Sequence, residues 1–86
     1  MPVVTIYTKP GCPYCARALD LLARKGAQVQ EIVAAHDPAL KQQMVDRANG
    51  AKTFPQIFIG DTHVGGCDDL HALDGRGGLD PLLAAG

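Results

Sequence analysis

Two cysteines separated by two residues, Cys12-Pro13-Tyr14-Cys15, are the side chains of this 86-residue chain best suited to covalent chemistry. A thiolate attacks a disulfide sulfur, and a second thiol one helical turn away lies close enough to close a disulfide with the first. Nucleophile and resolving group thus sit in one motif. The elements around it set which thiol does which. Val3-Val4-Thr5-Ile6-Tyr7 reads as a strand and Thr8-Lys9-Pro10-Gly11 as a turn. An apolar stripe follows, Cys15, Ala18, Leu19 and Leu22, at the spacing of a helix running from about Pro13 to Lys25 and stopped by Gly26. Cys12 then falls at the helix N-terminus, where unpaired backbone N–H groups and the helix dipole favour a thiolate, and Pro13 takes the first helical position at no cost. The dipole contributes up to ~2 kcal/mol, or about 1.5 pK units, which brings a thiol of reference value near 8.5 only to about 7. A lower value requires hydrogen bonds from the amides near Tyr14 and Cys15, together with the Lys9 cation.

The remaining elements follow from the same signals. Val29 to Val33 reads as a strand with poor alternation. Asp37 caps a helix whose first residue is Pro38; Leu40, Met44 and Ala48 share one face, and Asn49-Gly50 end it. Gln56-Ile57-Phe58-Ile59 and Thr62-His63-Val64 form a hairpin around the two-residue, glycine-first turn Gly60-Asp61. Gly65-Gly66 breaks the second strand, and a helix is expected from about Cys67 to Asp74. Gly75 to Gly78 reads as a loop, and Asp80-Pro81 as the cap and first residue of a last helical turn. The order is β-α-β-α-β-β-α with a short C-terminal helix. A right-handed first crossover makes the first two strands parallel. The fold class is therefore α/β, a mixed four-stranded sheet flanked by helices, and a C-x-x-C motif in a βαβ context points to the thioredoxin-like arrangement.

Length predicts a single domain over 1–86. An apolar content of 47% and a formal charge of −1 describe an ordinary globular chain, with no basic excess to suggest nucleic acid or an anionic membrane as partner. No basic start followed by a long apolar run appears, so neither a signal peptide nor a membrane span is expected. Three cysteines are an odd count, too few for a disulfide scaffold, and indicate catalytic thiols in a reducing compartment, the cytoplasm. The competing assignment is structural zinc, with Cys12, Cys15 and Cys67 joined by His63 or His71. Zinc sites usually bring a second close-spaced pair, whereas Cys67 stands alone, so redox chemistry is preferred and no metal is expected. His36, His63 and His71 lack ligand-like spacing and receive no role.

Four stretches carry a family resemblance: Tyr7-Thr8-Lys9, Cys12-Pro13-Tyr14-Cys15, Thr53-Phe54-Pro55-Gln56-Ile57-Phe58-Ile59 and Gly65-Gly66-Cys67-Asp68-Asp69-Leu70. In order and spacing they resemble the glutaredoxins, in particular the small bacterial dithiol type. The resemblance implies that Pro55 is cis and faces the cysteines. It also implies that Phe54, where the family commonly has valine, pairs its backbone with the substrate's cysteine, with Thr53 beside it. Such pairing is strand addition in miniature. A larger ring at position 54 is expected to narrow the pocket or alter which proteins fit it. Gly66 leaves the amides of Cys67 and Asp68 open to a carboxylate, and Asp68 pairs with an ammonium; the γ-glutamyl end of glutathione carries both on one carbon. Lys9 would hold the glycyl carboxylate and Tyr14 would flank the sulfur. Asp69 is read as complementing the helix dipole, and Cys67 as a small buried apolar side chain. Gln43 and Arg47 lie on a helix whose direction relative to the ligand the sequence leaves open, and Arg76 is expected to pair with Asp74 or Asp80.

The activity implied is glutathione-dependent reduction of mixed and protein disulfides through a Cys12/Cys15 redox pair, by a cytoplasmic monomer with glutathione as co-substrate. Two alternatives compete with it. One is a thioredoxin-like reductant, opposed by Pro-Tyr where thioredoxins usually carry Gly-Pro. The other is a carrier or sensor of a glutathione-ligated [2Fe–2S] cluster bridged by two Cys12 thiolates, made less favourable by the stiffening Pro13.

Overall fold

A computed structural model describes residues 2–85, and its sheet is organised around β1 (Val4–Thr8). β1 pairs in parallel with β2 (Val29–Val33), from Val4 opposite Val29 to Thr8 opposite Val33. On its other side it pairs antiparallel with β3 (Gln56–Ile59), and β4 (Thr62–Gly65) closes the hairpin. The strand order is β2-β1-β3-β4, the expected mixed four-stranded sheet. β1 begins and ends one residue later than its sequence suggested, because Thr8 still pairs with Val33 while Val3 is left 41% exposed. β2 occupies its expected span despite weak alternation; it is an edge strand, only partly covered, so little in its pattern had to be apolar.

Successive strand residues point to opposite faces, and each face carries its own core. Val4, Ile6, Ile57 and Ile59 meet Ala18, Leu21 and Leu22 of α1 (Pro13–Arg24), Cys67 and Leu70 of α3 (Cys67–Gly75), and Leu79 and Leu83 of α4 (Leu79–Ala84). Leu21 is buried in this stripe, whereas Leu19, assigned to it from spacing, is only partly covered. The other face holds Tyr7, Phe58 and Ala34 against Met44 and Ala48, which α2 (Pro38–Arg47) and its C-cap bring down onto the sheet. Burying a side chain such as Leu22 or Met44 contributes ~1.5–3 kcal/mol relative to leaving it in water, so the two faces clamp the sheet from both sides.

α1 ends where expected. Gly26, at φ +69°, lets its own N–H bond Ala23 O and that of Ala27 bond Leu22 O, which satisfies the last carbonyls of the helix. Lys25 at the cap then bonds Asp74 and Asp80 at 2.9 and 3.0 Å, tying the end of α1 to α3 and α4. One of these carboxylates, Asp74 or Asp80, is the expected partner of Arg76, and Lys25 takes both instead. α4 also departs from expectation: it starts at Leu79 after Gly78, with Asp80 in its first turn rather than at the cap. Gly78 donates to Leu73 O as α3 closes, so the chain passes straight into α4 with Leu79 already buried. Pro81 still lies in the first turn, where an N–H is not needed.

Candidate active site

Three elements converge beside the C-terminal end of β1: the start of α1, the segment before β3, and the start of α3. Cys12 is the N-cap of α1 in extended conformation, and its Sγ accepts the Cys15 N–H at 3.3 Å. The sulfur thus occupies the place that a serine or aspartate side chain usually fills at a helix start. Cys12, Cys15 and Cys67 are all free thiols, buried to within 8%, 3% and 4% exposure.

The two thiols of the motif are driven apart. Burial alone would raise Cys12, but the Cys15 thiol, the Cys15 amide, the Lys9 ammonium and the Tyr14 amide outweigh it and hold Cys12 below its ordinary value. Cys15 is pushed up to about 11, first by burial, then by the hydrogen bond it gives to Cys12 and by that sulfur's charge. The two displacements run in opposite directions, so Cys12 gives up its proton at a lower pH than Cys15. This is the division of labour expected of a nucleophile and a resolving thiol. Cys67 is raised, chiefly by burial, and packs in the α1/α3 core as the small apolar role required.

Tyr14, Thr53, Phe54, Pro55, Gly66, Cys67 and Asp68, spread over the sequence, line a single groove of about 340 Å³. The Phe54–Pro55 peptide is cis, as expected. Tyr14 stands 53% exposed at its rim, and the Phe54 ring is half turned inward against the α2-side core. Gly66 lies against the Pro55 carbonyl, where a Cβ would sit at 3.5 Å. Gly65 adopts φ +115°, and a Cβ there would strike the Asp69 carboxylate. That carboxylate accepts the Gly66 N–H at 2.9 Å, so Asp69 caps α3, in keeping with the structural role assigned to it. The Cys67 and Asp68 amides lie in the first turn and have no intrahelical acceptor, leaving two N–H donors beside the Asp68 carboxylate, which has no hydrogen-bond or ion-pair partner among the described residues.

Lys9 is placed differently. It lines a separate cleft of about 440 Å³ together with Cys12, Cys15, Pro10, Pro13 and Glu31, none of which lines the groove. Gln43 and Arg47 turn inward: the Tyr7 hydroxyl donates to Gln43 Oε1 at 2.7 Å and accepts from Arg47 at 3.1 Å, and the guanidinium lies 4.3 Å over the Phe58 ring. The alternative zinc set does not assemble; among the described residues no three His, Cys, Asp or Glu side chains come together as a metal site. Two groove residues were not foreseen. Gln56 and His63 also line it, and their side chains are bonded to each other at 2.8 Å. A buried glutamine at the head of a core strand was the available signal, since such a side chain must find partners.

The glutaredoxin family model matches residues 4–64 of this chain. A glutaredoxin of Pseudomonas aeruginosa is 56% identical over 85 residues, covering 99% of this chain and all of that protein. Among solved structures, a glutaredoxin from Brucella melitensis superposes with a TM-score of 0.83 at 63% identity, over 96% of this chain and 89% of that one. A buckwheat glutaredoxin–glutathione complex has a TM-score of 0.83 at 31% identity, covering 93% and 74% of the two chains. The paired cysteines at a helix start, the groove beside them and these likenesses agree: the chain belongs to the glutaredoxin family, the glutathione-dependent thiol–disulfide oxidoreductases.

Proposed function

We propose that Cys12 is the nucleophile of a glutathione cycle and that the groove from Tyr14 to Asp68 holds glutathione. The observation that carries this reading is the opposed displacement of the two thiols, Cys12 down and Cys15 up to about 11. In the first step the Cys12 thiolate attacks the glutathione sulfur of a mixed disulfide. The Cys12–glutathione bond forms, the old S–S bond breaks, and its electron pair leaves with the substrate sulfur, which takes a proton from solvent. A second glutathione thiolate then attacks the glutathione sulfur on Cys12, giving oxidised glutathione and the Cys12 thiolate again. With a protein disulfide, Cys12 instead forms a mixed disulfide with one protein sulfur and releases the other as a thiol. Cys15 then loses its proton and attacks the Cys12 sulfur, which closes the Cys12–Cys15 disulfide and releases the second protein thiol. Two glutathiones reopen it and leave as oxidised glutathione.

In this reading the γ-glutamyl carboxylate lies on the Cys67 and Asp68 amides, its ammonium on the Asp68 carboxylate, and the cysteinyl main chain alongside Phe54, with Thr53 and Pro55 shaping that wall and Tyr14 flanking the sulfur. Lys9, set in the neighbouring cleft, acts first through its charge on Cys12 and holds the glycyl carboxylate where that end of the ligand passes over the motif. The working form is a monomeric single domain in the cytoplasm, acting on glutathionylated and disulfide-bonded proteins. No described helix is long and apolar enough to cross a membrane. A coupled assay with glutathione, glutathione reductase and a small mixed disulfide tests the cycle. Turnover that depends on glutathione and on Cys12 is expected; turnover supported equally by a thioredoxin reductase without glutathione would overturn it.

A further inference from the structure

Gln56 is one of the few polar side chains buried in this chain, at 3% exposure, and every part of its amide is engaged. Its Nε2 donates to the Thr53 carbonyl at 3.0 Å and to the Thr53 hydroxyl at 3.1 Å. A carbonyl only accepts, so the NH₂ end must face Thr53 and Oε1 must face His63. The 2.8 Å contact between Oε1 and His63 Nε2 therefore carries the imidazole's proton. His63 is held in turn by stacking on Phe58, with ring centroids 4.9 Å apart and planes 25° from parallel. Phe58 also meets the Arg47 guanidinium at 4.3 Å, which places the ring in contact with α2.

The object of this chain of contacts is the segment before Pro55. Residues 52–54 belong to no strand or helix, and among the described residues they make no backbone–backbone hydrogen bond. The Thr53 carbonyl and the Phe54 N–H belong to one rigid planar peptide, so fixing the oxygen fixes the direction of the hydrogen. Phe54 is the residue assigned above to main-chain pairing with the glutathione cysteine. We propose that Gln56, oriented by His63, is a positioning residue that sets the Thr53–Phe54 peptide to receive glutathione. This rests on the glutathione reading of the groove. His63 lies opposite Phe58 in the hairpin register; it borders the groove itself, and its one hydrogen bond among the described residues is to the glutamine that holds Thr53.

The test is a steady-state comparison of wild type, Gln56→Met, His63→Ala, His63→Gln and the Gln56→Met/His63→Ala double variant on a glutathionylated substrate. Alkylation of Cys12 is followed in parallel. Gln56→Met keeps the volume and removes both donors, and is expected to raise KM about five- to tenfold, the loss of one or two net hydrogen bonds, with kcat and Cys12 alkylation unchanged. His63→Ala is expected to raise KM in the same direction by less. His63→Gln, whose amide can again donate to Gln56, should restore it. The double variant should be no worse than Gln56→Met alone, because His63 acts through the glutamine. An unchanged KM in folded Gln56→Met, or additive effects in the double variant, would overturn the proposal. If Gln56→Met fails to fold, the two His63 variants decide: a His63→Ala defect that His63→Gln does not repair overturns it. Wild type without glutathione dependence would instead refute the underlying reading of the groove, which separates the two failures.

Discussion

The starts of α1 and α3 face the same groove but are capped in opposite ways. At α1 the cap is the reacting atom itself: Cys12 Sγ accepts the Cys15 N–H. At α3 the cap is supplied from within, by Asp69 accepting the Gly66 N–H, which leaves the Cys67 and Asp68 amides unspent. The first helix start stabilises a charge the protein carries, and the second is left ready for a charge a ligand brings. In the proposed cycle the same backbone physics thus serves the nucleophile at the α1 start and the ligand's carboxylate at the α3 start. The start of α2, capped by Asp37 through the Ala39 and Leu40 amides at 3.0 and 3.1 Å, is the control: a filled cap with no place in the groove.

Removing the reacting cap should have the largest effect. Cys12→Ser is expected to abolish glutathione-dependent turnover while leaving the melting temperature nearly unchanged, because serine is among the best N-cap residues. Cys15→Ser should retain activity on glutathione mixed disulfides and lose it on protein disulfides, since glutathione resolves the former intermediate. Loss on both substrates would mean that the second thiol completes every cycle, as in a thioredoxin-like mechanism.

Next in size is the separation of the two thiols. Thiolate absorbance against pH should show Cys12 ionising below the ordinary thiol value near ~8.5 and Cys15 and Cys67 above it, Cys15 near 11; a Cys67→Ala background isolates the first two. The signs for stability are opposite. Cys12, lowered on folding, adds stability above the unfolded thiol's pKa, and that contribution is lost as pH falls through its folded value. Cys15, raised on folding, adds stability in full below the unfolded value, and this is lost as pH rises toward about 11. A single step near ~8.5 for both thiols would remove the claim that the α1 start activates its cap.

The start of α3, proposed to face the ligand, is probed by Asp68→Ala, and Lys9→Ala probes the cation in the neighbouring cleft. A charged hydrogen bond is worth ~1.5–3 kcal/mol, so Asp68→Ala should raise KM for glutathionylated substrate roughly ten- to a hundredfold. Lys9 adds its charge to Cys12 as well, so its loss should also move the lower thiol step upward. Full catalytic efficiency in either variant would remove that residue from the site.

These contrasts were unevenly legible in the sequence. The α1 start could be read directly, because strand, turn, Pro13 and an apolar stripe are local signals that together fix where Cys12 must fall. The meeting of Thr53 to Pro55 with Gly66 to Asp68 could not be derived locally; it depends on the hairpin bringing distant segments together and was foreseen through family resemblance. Asp80-Pro81 misled because a local cap signal competed with Gly77 and Gly78, which close α3 and let α4 begin with Leu79 already buried. The pairing of Gln56 with His63 was hidden for a different reason: a glutamine heading an apolar strand signals that it needs partners but not which ones. Their contact follows from hairpin register and from side-chain direction in a buried site, and neither has a pattern along the chain.

The smallest effects should separate a cap that borders the groove from one that does not. Asp37→Ala removes the acceptor of two amides at α2, and a lost N-cap costs ~1 kcal/mol. In a domain of this size that lowers the melting temperature by about 4–8 °C, and the kinetics should be unchanged. Asp69→Ala should cost a similar amount of stability, since it too removes a cap bond. It also releases the Gly66 N–H, adjacent to the two amides assigned to the ligand carboxylate, and removes the carboxylate packed against Gly65. A KM increase is therefore expected for Asp69→Ala alone, smaller than that of Asp68→Ala because no ligand contact is lost. Equal KM changes in Asp37→Ala and Asp69→Ala would mean that general helix stability, not the local order of the α3 start, governs glutathione use. An unchanged KM in both would mean that the seat is held by the glycines and the Pro55 wall without help from the cap.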